Sequence, residues 1–231
     1  MSGKGGMSRE RVPSAFDTQA RNYDKLVGRN PGYHEHLLAS ATALDLPDRG
    51  AGLRVLDVGC GTGLSTAALL EVAPEADITG VDASAQMLAK AREKPWPGTV
   101  RFRHGRAEDI ADEGPFDAVF AAYLVRNLAD PDAVLTSLKG LLAPGGVLAV
   151  HEYVRGANRA ARALWNGICW AVIIPMGGFS PLYRHLWRSV KEFDDATEFA
   201  DRLRRNGFSD VEVRDMDGWQ RGIEYTFLAR P

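Results

Sequence analysis

One segment of the sequence constrains the fold more than any other: a short apolar run that leads directly into three alternating glycines. The run is Val55-Leu-Asp-Val58, the glycines are Gly59, Gly61 and Gly63, and an apolar stretch with helical spacing follows over 64–72. Glycine lets the backbone turn sharply and approach a ligand without a Cβ clash. A helix that begins there presents its N-terminus to that ligand. The segment therefore predicts a strand, a turn and a helix, with a ligand site at the turn.

The rest of the chain alternates between short apolar runs and helical segments. Strands are predicted at 53–58, 78–81, 100–102, 118–122, 147–150, 211–213 and 223–228. Alternating strands and helices joined by right-handed crossovers form a doubly wound sheet. We expect an α/β fold with a mainly parallel, seven-stranded, Rossmann-like sheet, whose last two strands form an antiparallel hairpin at one edge.

Domain organisation follows from length and local composition. The first twelve residues contain glycine and charge but no apolar core, so residues 1–12 are expected to be a disordered lead-in. Residues 13–231 are long enough for a single domain of ordinary composition. Within it, helical patterns predict an N-terminal cover over 13–46 and a helical insertion at about 156–192.

Composition also limits the partners. The formal net charge of −2 leaves no basic excess for a nucleic-acid backbone, so a small-molecule substrate is expected. Cys60 and Cys169 lack the spacing of a redox pair or a metal site, which predicts reduced thiols, a cytoplasmic protein and no metal. The apolar stretch 163–175 is too short to span a bilayer. Peripheral contact with a membrane and a homodimer surface remain alternatives for it.

The residue that ends the next strand helps to identify the ligand. Asp82 lies about twenty residues after the glycine loop, where a ribose hydroxyl pair is held in nucleotide-binding folds. The spacing is Gly-x-Gly-x-Gly and not the Gly-x-Gly-x-x-Gly of dinucleotide sites. A carboxylate at Asp57 would repel a pyrophosphate but suits the ammonium and sulfonium charges of S-adenosylmethionine. We therefore expect S-adenosylmethionine as cofactor and S-adenosylhomocysteine as product, with a dinucleotide-dependent oxidoreductase as the alternative.

This region resembles motif I of the class I methyltransferases. Asp82-Ala-Ser-Ala-Gln-Met-Leu88 is similar to their ribose-binding segment, and Gly105-Arg-Ala-Glu-Asp-Ile110 is similar to their adenine-binding turn. Family members often have Asp where this chain has Arg106, so Glu108 or the backbone of Ala107 would replace that contact. The resemblance implies cofactor binding by Tyr23, Asp57, Gly59, Cys60, Gly61, Gly63, Asp82, Ala83, Met87, Arg106, Ala107, Glu108 and Ala122.

Further segments narrow the resemblance to the ubiquinone/menaquinone C-methyltransferases. They are Phe16-Asp-x-x-Ala-x-x-Tyr-Asp24, Tyr123-Leu-Val-Arg-Asn-Leu128, Ile174-Pro-Met-Gly-Gly178, Tyr183-x-x-Leu-x-x-Ser-Val190 and Gly207-Phe208. The likeness covers nearly all of residues 16–229, although residues 217–222 depart from the family's usual sequence motif. It implies methyl transfer to a small lipophilic acceptor, preferably to a carbon of a quinol or phenolic ring. O- or N-methylation of another metabolite and a non-catalytic donor-binding protein are the alternatives.

The same resemblance implies a catalytic role for Arg126, Asn127 and Glu152. A guanidinium with a pKa above about 12 is a poor base, so Arg126 is expected to stabilise a phenolate. An ordered water, Glu152 or a neighbouring histidine would accept the proton, and Asn127 would orient the donor or the water. A salt bridge at the strand end is the alternative for Arg126. The aromatic-rich stretch 165–187 is expected to form a lipophilic tunnel, a buried helix or a dimer surface.

Overall fold

The computed structural model describes residues 7–28, 30–110, 113–176 and 178–231, without the side chains of Asn22, Glu108 and Met176. Seven strands form one sheet in the order β3-β2-β1-β4-β5-β7-β6. They are β1 (Arg54–Val58), β2 (Asp77–Asp82), β3 (Val100–His104), β4 (Phe116–Ala122), β5 (Leu142–Tyr153), β6 (Asp210–Asp215) and β7 (Glu224–Arg230).

Strand directions confirm the expected fold class. Strands β1 to β5 run parallel to one another, whereas β7 runs antiparallel to both β5 and β6. The two last strands therefore form the expected hairpin, and β7 is the member that pairs with β5. This pairing places Glu224 opposite Tyr153, and Thr226 opposite His151.

Helices occupy the segments between the strands and the two predicted helical regions. They are α1 (Val12–Val27), α2 (Tyr33–Thr42), α3 (Leu64–Val72), α4 (Ala85–Arg92), α5 (Pro131–Gly140), α6 (Arg159–Ile168), α7 (Ile174–Met176), α8 (Pro181–Glu192) and α9 (Ala196–Arg205). A π-helical turn, Cys169–Ile173, joins α6 to α7. No helix in the described ranges is long and apolar enough to cross a membrane.

The N-terminal boundary differs from the expectation. A 3-10 turn at Arg9–Arg11 precedes α1, which begins at Val12 with Pro13 in its first turn. Regular structure therefore starts inside the segment expected to be a disordered lead-in, because proline fits the first turn of a helix, where no N–H donor is needed. Residues 1–6 lie outside the described residues.

The core lies on both faces of the sheet, because successive strand residues point to opposite sides. Val119 of β4 packs in one buried cluster with α5 and α9, while its neighbours Ala118 and Phe120 pack in the other with α2 and α3. The helices therefore cover both faces. The carboxyl ends of the parallel strands remain as the edge where a ligand can bind in a doubly wound fold.

Candidate active site

The glycine loop at the end of β1 forms the floor of the site. Gly61 has a φ of 55°, and its backbone N–H donates to Asp82 Oδ2 at 2.8 Å. A Cβ there would meet only Met87 Cε, at 3.6 Å, so Gly61 is needed for its left-handed backbone and its open side. Gly63 differs, because a Cβ on it would lie 2.8 Å from Trp96 Cζ2. Gly63 starts α3 and allows Trp96 to pack; it does not line the cavity described below.

Asp82, at the end of β2, links the loop to the next helix. Its Oδ2 accepts from the N–H of Gly61, and its Oδ1 accepts from the N–H of Ser84 at 2.7 Å. Burial raises the pKa of this carboxyl. Each carboxylate oxygen has about two acceptor sites, so both retain capacity for a further donor such as a ribose hydroxyl.

Asp57 lies beneath the loop and has an incomplete set of hydrogen bonds. Its Oδ2 accepts from Ser65 Oγ at 2.8 Å and from Thr66 Oγ1 at 2.6 Å. Its Oδ1 is buried without a partner, and burial raises the pKa of the carboxyl to about 7. Asp57 does not line the cavity, but its unpartnered oxygen suits a positively charged ligand bound above the loop.

A cavity of about 590 Å³ extends along the carboxyl edge of the sheet, which is within the usual size range for small-molecule sites. Its first end is lined by the predicted cofactor-binding residues Tyr23, Gly59, Cys60, Gly61, Asp82, Ala83, Met87, Arg106, Ala107 and Ala122. The side chain of Glu108, which was predicted to take part, lies outside the described residues. Glycine backbone, an acceptor carboxylate and the unpartnered Asp57 oxygen together fit S-adenosylmethionine at this end.

Helix α1 closes this end through two aspartates. Asp24 Oδ1 accepts from Thr62 Oγ1 of the glycine loop at 2.5 Å. Asp17 Oδ1 accepts from Ser84 Oγ at 2.5 Å, and Ser84 in turn caps α4. Sequence reasoning did not assign these contacts, although both aspartates stand in the 16–24 element that carried the family resemblance.

The second end of the cavity contains Arg126, which is held by an ion pair. Arg126 Nη1 donates to Glu152 Oε1, which also accepts from the N–H of Tyr153 at 3.0 Å. Glu152 Oε2 accepts from the backbone N–H of Arg126 at 3.2 Å. Arg126 lines the cavity and its buried Nε has no partner, whereas Glu152 is fully buried and does not line the cavity. Glu152 therefore contacts Arg126 from behind the cavity wall, and its role as a proton acceptor stays a prediction.

Asn127 also lines this end and is fixed on both sides. Its Nδ2 donates to the backbone carbonyl of Tyr123 at 3.0 Å, and its Oδ1 accepts from His185 Nε2 at 3.2 Å. Burial, together with the charge of Arg126, lowers the pKa of His185 to about 4. His185 is thus neutral at pH 7 and holds Asn127 in place.

Tyr123 connects the cavity to a buried carboxylate that the sequence analysis did not find. It has a φ of 55°, and its hydroxyl donates to Glu224 Oε1 at 2.5 Å and lies 3.0 Å from His151 Nε2. His151 Nε2 is 3.1 Å from Glu224 Oε1, and His36 Nδ1 is 2.9 Å from Glu224 Oε2. Burial opposes ionisation of Glu224, but hydrogen bonds from the two histidines outweigh it and lower its pKa to about 2.

Aromatic rings form a continuous wall around Arg126. Tyr33 stacks on Tyr123 with ring centroids 5.2 Å apart, and Tyr123 stacks on Tyr153 at 5.4 Å. Tyr153 continues the contacts to Trp165 at 5.1 Å. Apolar residues of the helical insertion complete the wall, namely Ile168, Val172, Ile173, Tyr183 and Leu186. This end of the cavity therefore suits a planar, lipophilic molecule.

Comparisons with known proteins agree with this geometry. A family profile described as "Methyltransferase domain" matches residues 55–146. The chain is 33% identical over 201 residues to a demethylmenaquinone methyltransferase from Thermus thermophilus, which covers 84% of this chain and 91% of the relative. It is 30% identical over 209 residues to a ubiquinone/menaquinone biosynthesis C-methyltransferase from Syntrophotalea carbinolica, covering 88% of each. A solved S-adenosylmethionine-dependent methyltransferase from Thermotoga maritima, described as a possible histamine N-methyltransferase, superposes with a TM-score of 0.69 at 18% identity, over 95% of this chain and 99% of that one.

Sheet order, glycine loop and donor end together define a class I methyltransferase that uses S-adenosylmethionine as methyl donor. Sequence identity to these two relatives extends over most of the chain and narrows the assignment to one family. The chain belongs to the ubiquinone/menaquinone biosynthesis C-methyltransferase family. The expected enzyme class and cofactor are therefore confirmed, and the dinucleotide alternative is dropped.

Proposed function

We propose that this enzyme transfers a methyl group to a ring carbon of a small lipophilic phenol or quinol. The observation that carries the proposal is the guanidinium of Arg126, which lines the aromatic end of the cavity with an unpartnered Nε. Its Cζ lies 5.8 Å from the ring centroid of Tyr123 and 5.9 Å from that of Tyr153. A fixed cation among aromatic rings favours a planar acceptor that becomes an anion. The names of the relatives support a quinol in particular.

The residues at the donor end have binding and positioning roles. When bound, S-adenosylmethionine supplies an electrophilic methyl group on a sulfonium. Asp82 would accept from the ribose hydroxyls, and the glycine loop with α1 above it would exclude water from the reacting atoms. Holding two reactants in line accounts for much of the rate acceleration in such reactions.

Carbon methylation requires an electron-rich ring, so the acceptor hydroxyl has to lose its proton. Arg126 stabilises the resulting phenolate but is too weak a base to take the proton. Glu152 is occupied by Arg126 and by the N–H of Tyr153. A neighbouring histidine suits this role better, because Tyr123 lines the cavity and its hydroxyl lies within hydrogen-bond distance of His151.

The proton leaves the acceptor by two coupled transfers through the hydroxyl of Tyr123. Burial raises the pKa of Tyr123 well above its usual value, so its hydroxyl accepts the acceptor's proton only as it passes its own to the pair of Glu224 and His151, both of which it contacts. The ionised Glu224, 3.1 Å from His151 Nε2, stabilises the imidazolium that results. After methyl transfer, which leaves S-adenosylhomocysteine, loss of the ring-carbon proton restores the aromatic phenolate. Return of the first proton from His151 through Tyr123 then restores the phenol. Over the whole reaction the acceptor gains one methyl group and loses one proton.

The proposal is tested by identifying the product. The enzyme is incubated with methyl-labelled donor and a reduced naphthoquinol that lacks the ring methyl group, with short and long side chains in parallel. Mass spectrometry and NMR are expected to show a methyl group bonded to a ring carbon. A methoxy product would replace this proposal with O-methylation, and methylation only of amine acceptors would replace it with N-methylation.

A matched variant separates catalysis from binding. Arg126→Gln is expected to abolish turnover while calorimetry still detects S-adenosylmethionine binding at the other end of the cavity. Donor binding by the wild type without turnover of any phenolic acceptor would instead favour a non-catalytic donor-binding protein. Equal turnover of short-chain and long-chain quinols would remove the support for a tail-binding tunnel.

A further inference from the structure

The helical insertion after β5 has a charge composition unlike that of the rest of the chain. From Tyr153 to Lys191 the sequence contains six Lys or Arg residues and no Asp or Glu. The whole chain has 28 Lys and Arg against 30 Asp and Glu, so the asymmetry is local. A cationic surface on a nearly neutral protein attracts anionic partners.

Three of these basic side chains are exposed and lack an acidic partner among the described residues. Arg159, Arg162 and Arg184 are exposed, and none of them forms an ion pair within the part of the chain that the structure describes. Arg155 differs, because it pairs with Glu198 and with the capping residue of α9. Arg162 Nε donates to the carbonyl of Gly156 at 2.8 Å, but no carboxylate of the described residues neutralises any of the three arginines, so their charges remain available to an anionic surface.

Exposed apolar side chains accompany the unpaired arginines. Large apolar residues with exposed side chains number five among the described residues, and four of them belong to the insertion. Their exposed fractions are 44% for Leu164, 49% for Trp170, 46% for Val172 and 57% for Phe179. We call these four residues, with Arg159, Arg162 and Arg184, the docking face. Clusters of exposed apolar residues of this kind mark interaction surfaces.

Helices α6 and α8 pack together to support this face. Trp187 Nε1 of α8 donates to Asn166 Oδ1 of α6 at 2.8 Å, and the rings of Trp170 and Trp187 meet at 5.4 Å. Trp165 points to the other side of α6 and is buried against the cavity. One side of the insertion thus lines the site while the other is turned to solvent.

Val172 joins the docking face to the cavity. It is 46% exposed and also lines the cavity wall, next to Ile173 and Leu186 of the aromatic end. A molecule that entered beside Val172 would reach the acceptor end and not the glycine loop. The apolar face and the acceptor end are therefore continuous.

We infer that the docking face binds the surface of an anionic lipid bilayer, and that the acceptor passes from the bilayer into the cavity beside Val172. The second statement rests on the proposed function. Exposed Trp, Leu and Phe side chains with Arg residues in the same helical region are typical of segments that lie in a membrane interface. Arg side chains reach the lipid phosphates while their apolar stems stay with the acyl chains. A second copy of the same face is disfavoured, because the unpaired arginines would repel one another.

Vesicle sedimentation tests the inference with the full-length protein. The probes are vesicles of phosphatidylcholine alone and of phosphatidylcholine mixed with phosphatidylglycerol. Binding is expected on the mixed vesicles and is expected to weaken with salt. Each Arg or Lys near an anionic surface strengthens binding by about fivefold, so Arg159→Gln with Arg184→Gln is expected to weaken it about thirtyfold. Trp170→Ser with Phe179→Ser is expected to weaken it by more than about tenfold.

The control is Val213→Ser with Arg214→Gln, which removes an exposed apolar side chain and an arginine from β6, outside the docking face. It is expected to sediment like the wild type. Equal binding to both kinds of vesicle, or equal loss in the control, would overturn the inference. So would self-association that Trp170→Ser with Phe179→Ser abolishes, since a second copy would then cover the face.

Turnover of a water-soluble quinol without a tail separates this inference from the proposed function. The docking-face variants are expected to keep that turnover while losing turnover of a long-chain quinol presented in mixed vesicles. Vesicle binding without methylation of any quinol would contradict the proposed function and leave the docking surface in place. Methylation without vesicle binding would contradict the docking surface alone.

Discussion

Replacing Asp57 with asparagine tests whether the site is built for a cationic donor. Burial raises the pKa of Asp57 from 3.8 to about 7, and its Oδ1 has no partner. The native state therefore binds a proton that the unfolded chain has released, and the free energy of unfolding falls as pH rises from 3.8 to about 7. A shift of this size corresponds to about 4 kcal/mol. Asp57→Asn cannot ionise, so we expect it to be more stable than the wild type at about pH 8 by up to about 4 kcal/mol and similar at about pH 4.

The affinity for the donor is expected to rise with pH, whereas the free energy of unfolding falls. A positive ligand above the glycine loop favours ionised Asp57, so binding releases a proton and affinity rises with pH by up to about tenfold per unit below pH 7. The donor's own amine titrates equally in both proteins, so the difference between wild type and Asp57→Asn isolates the carboxyl. We expect the variant to bind the donor more weakly and with a flatter pH profile.

Urea unfolding of the empty protein and calorimetric titration with S-adenosylmethionine, both across a pH series, supply the two measurements. Asp77→Asn, at an exposed position of β2, is the control and is expected to follow the wild type. Coincident pH profiles of stability and affinity for wild type and Asp57→Asn would refute the reasoning, because Asp57 would then be ionised in the empty site without cost.

Three further variants test the acceptor end. Tyr123→Phe keeps the stacked ring but removes the proton route, so turnover is expected to fall by about a hundredfold or more with unchanged donor affinity; unchanged turnover would remove Tyr123 from the route. Glu224→Gln is expected to lower the unfolding free energy at pH 7 by about 3 kcal/mol, since the pKa of Glu224 is lowered from 4.5 to about 2. That stabilisation is present above pH 4.5 and lost as pH falls through about 2, so denaturation curves of wild type and variant should converge in acid. Arg126→Met is expected to lower the free energy of unfolding by about 3 to 5 kcal/mol, because it leaves Glu152 buried and unpaired. Adding Glu152→Leu to this variant should restore stability but not turnover. Restored turnover would show that the guanidinium is dispensable.

The donor end could be predicted from sequence because its parts are local. Gly61 and Asp82 belong to a strand-to-helix unit and to the next strand, so the chain itself brings them together. Asp57 was predicted as a residue of the loop, but its place below the floor depends on Ser65 and Thr66 in the first turn of α3. The local sequence pattern therefore identified Asp57 but did not show on which side of the glycine loop its carboxylate lies.

The acceptor end could not be predicted in the same way. Tyr123 and Glu224 meet across 101 positions of sequence, only because β7 enters the sheet antiparallel beside β5. A shift of one residue in that register would turn Glu224 to the other face of the sheet. Strand β5 also begins at Leu142, before the predicted 147, since Leu142 already pairs with Phe116 across an irregular register. Turn-forming residues at 144–146 hide this extension from a pattern-based prediction.

The position of β7 has a consequence for how the molecule is made. Of the seven strands it is the last in chain order, yet it lies inside the sheet, between β5 and β6. While the chain is being synthesised, β5 has an open edge and β6 has no strand to pair with until β7 emerges. Unpaired edges of this kind bind other strands. A nascent chain therefore passes through a stage in which its donor site can form but its acceptor site cannot, and in which it is most exposed to misassembly.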